Sequence, residues 1–297
     1  MNQSLASNDA FTKSLKPRAV EEFLDFYFYR RIARRMVPYL HKWNFTPNQV
    51  TTISLVLGLA AGVAVLYQQF VLSGFLAVMT ICFDCCDGQL ARLTGQSSQY
   101  GRAMDGFFDF IWIFTYWWMI YFSGLLQESR YSGIFFLMVV SSIGMILHCW
   151  RFDGVKLKSL ELSGASFSEG DMDVPEVKKL LKEEWGRFNI FSVILLLCMY
   201  FQMYFFVRGG EKKQKYSRTP EEAERLTRHF DPVLNSWSWL GEGHHNTLII
   251  LGVFFAPFTP KVLIAAFWFI LVPMNLWWFY CEWAWRHAVK MIPIGRL

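Results

Sequence analysis

Residues 84–109 read DCCDGQLARLTGQSSQYGRAMDGFFD. Four aspartates, Asp84, Asp87, Asp105 and Asp109, stand here where one apolar run ends and the next begins. On insertion scales a charge near the hydrocarbon costs on the order of 2.5–3.5 kcal/mol, so four of one sign imply a compensating cation. Helical positions three or four apart share a face, which pairs Asp84 with Asp87 and Asp105 with Asp109. Two pairs facing each other across one turn offer hard oxygen donors suited to Mg²⁺ or Mn²⁺. A pair of such ions about 3.5–4 Å apart is the usual device for displacement at phosphorus. Gly88, Ala91 and Gly101 remove bulk where the two helices must approach and leave room for a ligand. Arg92 lies one turn beyond Gly88, and its fixed fork of donors suits either a phosphate or an aspartate.

The chain around this stretch has the composition of a membrane protein. Of its 297 residues 54% are apolar and 18% aromatic, with a formal net charge of +5, outside the usual range of soluble domains. Apolar runs at 49–67, 70–92, 100–125, 131–151 and 260–285 are each long enough to cross about 30 Å of hydrocarbon at 1.5 Å per residue. Residues 247–258 add a short span that ends at Pro257 and Pro260. The fold expected is all-α and integral to the membrane, with six transmembrane helices and an N-terminal amphipathic helix on the interface.

That amphipathic helix falls within 17–43, where Arg30, Arg31, Arg34 and Arg35 recur among Phe23, Leu24, Phe26, Phe28, Ile32 and Val37, as on a helix lying on an anionic leaflet. No cleavable signal peptide is expected, so the N-terminus is placed in the cytoplasm. Six crossings then return the C-terminus there, followed by Arg286, Lys290 and Arg296 as the positive-inside rule prefers. The apolar segment 188–207 precedes a basic run and is read as interfacial or re-entrant, with a seventh span as the alternative. The organisation expected is a cytoplasmic N-terminus over 1–46, a membrane domain over 47–285 with partly ordered cytoplasmic excursions at 152–187 and 208–243, and a tail over 286–297. Cys82, Cys85, Cys86, Cys149, Cys198 and Cys281 lie in or beside apolar runs and are read as small buried apolar residues, without disulfides. His244 and His245 are read as interfacial anchors at the start of the short span.

The motif Asp84-x-x-Asp87-Gly88-x-x-Ala91-Arg92, eight residues, Gly101-x-x-x-Asp105-x-x-x-Asp109 resembles the complete signature of the CDP-alcohol phosphotransferase (CDP-alcohol phosphatidyltransferase) family. Pro47, Asn48, Gln49, Val50 and Thr51 are similar to the segment that helps hold the cytidine nucleotide there. The resemblance implies six helices around a cavity open to the cytoplasm and the bilayer. Asp84, Asp87, Asp105 and Asp109 would ligate two Mg²⁺ or Mn²⁺ ions, and Asp109 would also act as general base. Gly88, Arg92 and Ser98 would contact the CDP-alcohol donor, with Ala91 and Gly101 completing the donor set. The implied reaction moves a substituted phosphate from a CDP-alcohol, CDP-diacylglycerol first among the candidates, to an acceptor alcohol with release of CMP, in phospholipid biosynthesis. The alternative is a choline or ethanolamine phosphotransferase that uses CDP-choline or CDP-ethanolamine with diacylglycerol.

The implied partners are the two substrates and membrane lipids, with a homodimer common in the family and no nucleic acid. Arg102 and Arg151 could bind an acidic acceptor, and Arg151 is read first as a positive-inside anchor at a span end. Two further readings are more remote. An intramembrane prenyltransferase would carry separated aspartate clusters in different halves of the chain. A divalent-cation transporter would need a second acidic set to mark an exit path.

Overall fold

The computed structural model describes residues 21–97, 99–126, 133–164, 174–204, 216 and 218–292, which are 86% helical with no strand among them. The helices run α1 Arg30–Lys42, α2 Pro47–Leu66, α3 Phe70–Thr94, α4 Gln99–Phe122, α5 Ile134–Ser163, α6 Val174–Gly186, α7 Ile190–Gln202, α8 Pro220–Trp237, α9 Glu242–Phe255, α10 Lys261–Leu271 and α11 Pro273–Lys290. Four lengths are long and apolar enough to cross a membrane: α2, α3, α5 and the run Lys261–Lys290 shared by α10 and α11. The protein is thus an all-α membrane protein, and among the described residues four of the six expected spans meet the length and hydropathy of a crossing. Expected span 100–125 is α4, a helix of 24 residues. Expected span 247–258 is α9, whose 14 residues extend only about 21 Å.

Two local devices frame the region that carries the aspartates. Pro47 occupies the first turn of α2, where its missing N–H costs nothing, and a capping box precedes it. The Gln49 N–H donates to Thr46 Oγ1 at 3.3 Å, and the Thr46 N–H to Gln49 Oε1 at 2.9 Å. At the far end, Gly95 takes φ +67° as α3 stops and the chain turns toward α4, a conformation that costs glycine little.

Helices α2, α3 and α4 form the densest part of the bundle. Gly58 and Gly62 of α2 make this contact possible, because a Cβ on Gly58 would lie 2.7 Å from Trp112 Cβ and one on Gly62 would lie 3.3 Å from Met119 Cγ, both on α4. This is the small-xxx-small spacing of closely packed membrane helices. Ser54 Oγ donates to Thr80 O at 3.0 Å between α2 and α3, and Ser73 Oγ pairs with Tyr116 Oη at 3.2 Å between α3 and α4. Away from these seams Val56, Phe75, Phe110, Phe114, Phe136 and Phe279 are exposed, the surface a lipid solvent accommodates.

Several expectations change in detail. The amphipathic helix is α1, with Ala33, Val37 and Leu40 packed toward the bundle and Arg31, Arg34 and Arg35 exposed. Arg30 is the exception to the basic face: it turns inward and pairs with Glu21 at 3.2 Å. Helix α5 continues past 151 to Ser163, so the first part of the partly ordered excursion expected at 152–187 extends a helix. Within the second excursion α8 is a regular helix with its own capping box, Thr219 with Glu222. Segment 188–207 contains α7, an apolar helix of 13 residues, and its positions 205–207 lie outside the described residues. That helix packs on α6 and α4 and leaves Ile190, Phe191 and Leu197 exposed. None of the six cysteines is disulfide-bonded, and Cys198, on α7, is exposed rather than buried.

Closeness at the α2–α4 seam gives a direct test. Gly58→Ala should lower stability by about 1–3 kcal/mol, because Trp112 stands where the new methyl must go. Gly106→Ala on α4, where a Cβ meets nothing within 4 Å, should be neutral or stabilising. Unfolding midpoints in detergent check both, and equal midpoints for the two variants would contradict the packing described.

Candidate active site

Asp84 lies near the end of α3, and Asp105 and Asp109 lie one helical turn apart in the first half of α4. The Gly95 turn and the α2 notch bring these segments together. One carboxylate oxygen from each of Asp84, Asp105 and Asp109 lies within 4.8 Å of the others. Three carboxylates so close repel strongly where water is scarce, and the opposed term that relieves them is a cation. The donors are oxygens only and only partly exposed, a chemistry that fits Mg²⁺ or Mn²⁺. Trp112 Nε1, one turn beyond Asp109, donates to Asp109 Oδ1 at 3.3 Å and fixes its orientation.

Asp87, expected as a fourth ligand, is placed differently. It is buried, and its Oδ2 accepts from Thr51 Oγ1 at 2.6 Å. The Thr51 hydroxyl also lies 3.0 Å from Pro47 O, within reach of the helix backbone. Thr51 and Asp87 thereby join the start of α2, expected to hold a nucleotide, to the acidic site. Pro47 and Val50 are buried and Asn48 and Gln49 exposed, so this segment shows one polar edge.

The small residues have individual roles. A Cβ on Gly88 would lie 3.4 Å from Arg92 Nη1, so the Arg92 guanidinium folds back across Gly88. Gln89, the next residue, is fully buried with neither amide atom hydrogen-bonded. Ala91 and Gly101 lie on α3 and α4 and are half-buried. Ser98 falls outside the described residues, as does the side chain of Arg102.

A second wall, missed from sequence, comes from the start of α9 and the segment before α1. Glu22 accepts from the backbone N–H groups of Glu242 at 3.1 Å and Gly243 at 2.8 Å, capping α9 with a carboxylate. Gly241 and Gly243 are required there, since a Cβ on either would lie 2.0 Å from Glu22 or 2.4 Å from Asp25. Asn246 Nδ2 donates to Glu242 Oε1 at 3.1 Å. Burial pushes the Glu242 carboxyl up to about 8, and the charges of Glu22, Asp25 and Asp105 add to the shift. The Gly-Glu-Gly sequence at 241–243 was the available signal, since two glycines beside a helix start mark a close approach.

His244 and His245 are not interfacial anchors, because both are buried. His245 Nδ1 lies 2.7 Å from Gly241 O, and its Nε2 lies 3.1 Å from His148 Nδ1 on α5. His148 Nε2 continues the chain to Asn275 Oδ1 on α11 at 3.4 Å. Buried imidazoles need such partners, and these tie three helices together. Arg151 is held within the bundle, where its Nε and Nη2 grip both oxygens of Glu282 on α11.

Helices α3 and α4 thus bring three carboxylates together in a membrane-helix bundle. Residues 44–164 match the family described as CDP-alcohol phosphatidyltransferase, the family that the motif at 84–109 resembles. Among curated proteins, an 80-residue stretch is 32% identical to the bifunctional IPC transferase and DIPP synthase of Aquifex aeolicus, covering 27% of this chain and 18% of that protein. A 66-residue stretch is 35% identical to the archaetidylinositol phosphate synthase of Pyrococcus horikoshii, covering 22% of this chain and 35% of that protein. The chain thus matches little more than a third of either relative's length at most.

The Thr51–Asp87 bond predicts a metal-linked stability effect. Thr51→Val should destabilise the metal-free protein by about 1.5–3 kcal/mol, because a buried carboxylate loses its donor. Added Mg²⁺ should recover part of the loss by supplying positive charge beside Asp87. Unfolding midpoints with EDTA and with Mg²⁺ check this, and a deficit that Mg²⁺ does not change would contradict it.

Proposed function

We propose that this protein is a CDP-alcohol phosphotransferase, which transfers a substituted phosphate from a CDP-alcohol to an acceptor alcohol and releases CMP. The observation that carries the reading is the convergence of Asp84, Asp105 and Asp109 within 4.8 Å, inside a segment that matches the family. Asp84, Asp105 and Asp109 would hold the divalent cations, with Asp87 joining them if it exchanges Thr51 for metal. When bound, Mg²⁺ or Mn²⁺ supplies positive charge to the donor pyrophosphate and to the leaving CMP.

The residues of the chain divide the remaining work. Asp109, held by Trp112, would accept the proton of the acceptor hydroxyl. The freed oxygen attacks the phosphorus that bears the donor's own alcohol, and the bond between that phosphorus and the CMP oxygen breaks. Arg92 across Gly88 is suited to a donor phosphate, and the start of α2 from Pro47 to Thr51 to the cytidine. Gln89 offers an unsatisfied buried amide close by. Both relatives are named for synthase or transferase activities, and the second for an inositol phosphate lipid. By that analogy CDP-diacylglycerol or a comparable lipid donor with a small polar acceptor is the first assignment, in phospholipid biosynthesis. The catalytic domain would occupy 47–285 with its site toward the cytoplasm, the side on which exposed Arg286 and Lys290 lie in the last turns of α11.

Purified protein in lipid should release CMP from one CDP-alcohol when given pooled acceptors, and EDTA should stop it. Asp109→Asn should slow that release by about 10²–10⁴-fold while retaining most donor binding. Asp84→Asn should weaken metal and donor binding together. Equal loss of donor affinity in both variants would contradict the division of roles, and absence of CMP from every CDP-alcohol with folded protein would contradict the reaction.

A further inference from the structure

Arg30 departs from the rest of α1, on which Arg31, Arg34 and Arg35 are exposed. The Arg30 and Glu21 side chains are instead 12% and 3% exposed, with Nε 3.2 Å from Oε1, and Arg30 Nε makes no aligned hydrogen bond at that distance. Burying an ion pair commonly costs more in lost hydration than its attraction recovers, so a loosely aligned buried pair is a poor device for stability alone. Arg30 also faces the acidic site, since Cys85, Asp25 and Asp84 lie within its electrostatic reach. It belongs to α1, outside the segment 44–164 that matches the family.

A second guanidinium stands near. Arg30 and Glu21 are the two strongest charges acting on Arg92, which folds across Gly88 on α3. Two guanidinia within reach of each other repel, and an anion close to both relieves the repulsion. In this structure Glu21 supplies that negative charge. Gln89 is an independent observation. It lies one turn before Arg92 and one turn beyond Cys86, whose Sγ is 3.8 Å from Ala33 O on α1, so it shares the face of α3 that α1 covers. There it is fully buried with neither amide atom hydrogen-bonded, a costly state unless a ligand meets it.

We propose that Arg30 is a ligand for a substrate phosphate, acting with Arg92, and that Glu21 is a carboxylate latch which holds the place of that phosphate until it arrives. The fork of a guanidinium accepts carboxylate and phosphate oxygens with the same geometry, so one can replace the other without rebuilding the site. A phosphate brings more charge and more acceptor oxygens than Glu21 does, and the idle Gln89 Nε2 would donate to one of them. Exchange then frees Glu21 toward water, next to Glu22 on the start of α9. The assignment rests on the transferase reading, under which the phosphate comes either from the pyrophosphate of the CDP-linked donor or from a phosphorylated acceptor.

The test is equilibrium dialysis of radiolabelled inorganic phosphate against the full chain in a maltoside detergent with Mg²⁺, with CMP release assayed on the same preparations. Saturable phosphate binding is expected, weakened about tenfold or more by Arg30→Gln and unchanged by Arg31→Gln. Glu21→Gln should tighten it by about threefold or more, because the competing carboxylate is gone. The double variant Glu21→Gln, Arg30→Gln leaves no unpaired member of the pair, and it should fold as the wild type does and bind as weakly as Arg30→Gln. Displacement of the label by cytidine diphosphate would assign the site to the donor, and displacement by glycerol 3-phosphate but not by cytidine diphosphate would assign it to a phosphorylated acceptor. A purely structural ion pair predicts that Glu21→Gln weakens binding as Arg30→Gln does. That result, a double variant that binds like the wild type, displacement by neither compound, or no saturable phosphate binding would overturn the proposal. Because binding is read without turnover, such a failure leaves the transferase reading to stand or fall on CMP release alone.

Discussion

Mutual repulsion among Asp84, Asp105 and Asp109 is the constraint on which the rest of this molecule depends. In water three carboxylates within 4.8 Å of one another would be screened, but at the edge of a lipid-facing bundle they are not. The fold nevertheless directs them inward. The α2 notch at Gly58 and Gly62 lets α4 approach, the left-handed turn at Gly95 reverses the chain, and Trp112 and Thr51 aim individual carboxylates. On the proposed function, divalent charge would relieve that repulsion, and cation binding and site assembly would be two aspects of one equilibrium.

A second set of interactions positions the far wall. The segment before α1 places Glu22 on the amides that open α9, and Tyr29 Oη meets Thr247 Oγ1 at 2.7 Å one turn further along. His148, His245 and Asn275 hold α5, α9 and α11 in register, and Arg151 with Glu282 repeats the link between α5 and α11. Inside a membrane protein such polar contacts do work that hydrophobic burial cannot, because lipid solvates apolar surface as well as a neighbouring helix does. The short α9 is therefore an internal element defined by its partners more than by its length.

Local patterns carried most of what was legible in the sequence. Helical class and the main apolar lengths follow from periodicity, and i, i+4 spacing pointed to four aspartates, of which Asp84, Asp105 and Asp109 lie together. Long-range pairings were not legible. Nothing near Asp87 announces that Thr51, 36 residues earlier, will take its oxygen, and nothing near Arg151 announces Glu282. His244 and His245 were misread for the same reason, since a boundary position in sequence became a buried one once α5 and α11 packed around it. Hydropathy alone does not decide short elements, because an apolar helix of 14 residues such as α9 can be buried against its neighbours. Gly58-x-x-x-Gly62 was a usable local signal that pointed to the tightest seam.

The most direct test of the central account is Mn²⁺ titration of the purified protein, followed by electron paramagnetic resonance of the free ion. The account predicts saturable Mn²⁺ sites in the wild-type chain that disappear in the Asp84→Asn, Asp105→Asn double variant while helical content is retained. Mn²⁺ binding of unchanged stoichiometry and affinity in that folded double variant would contradict it.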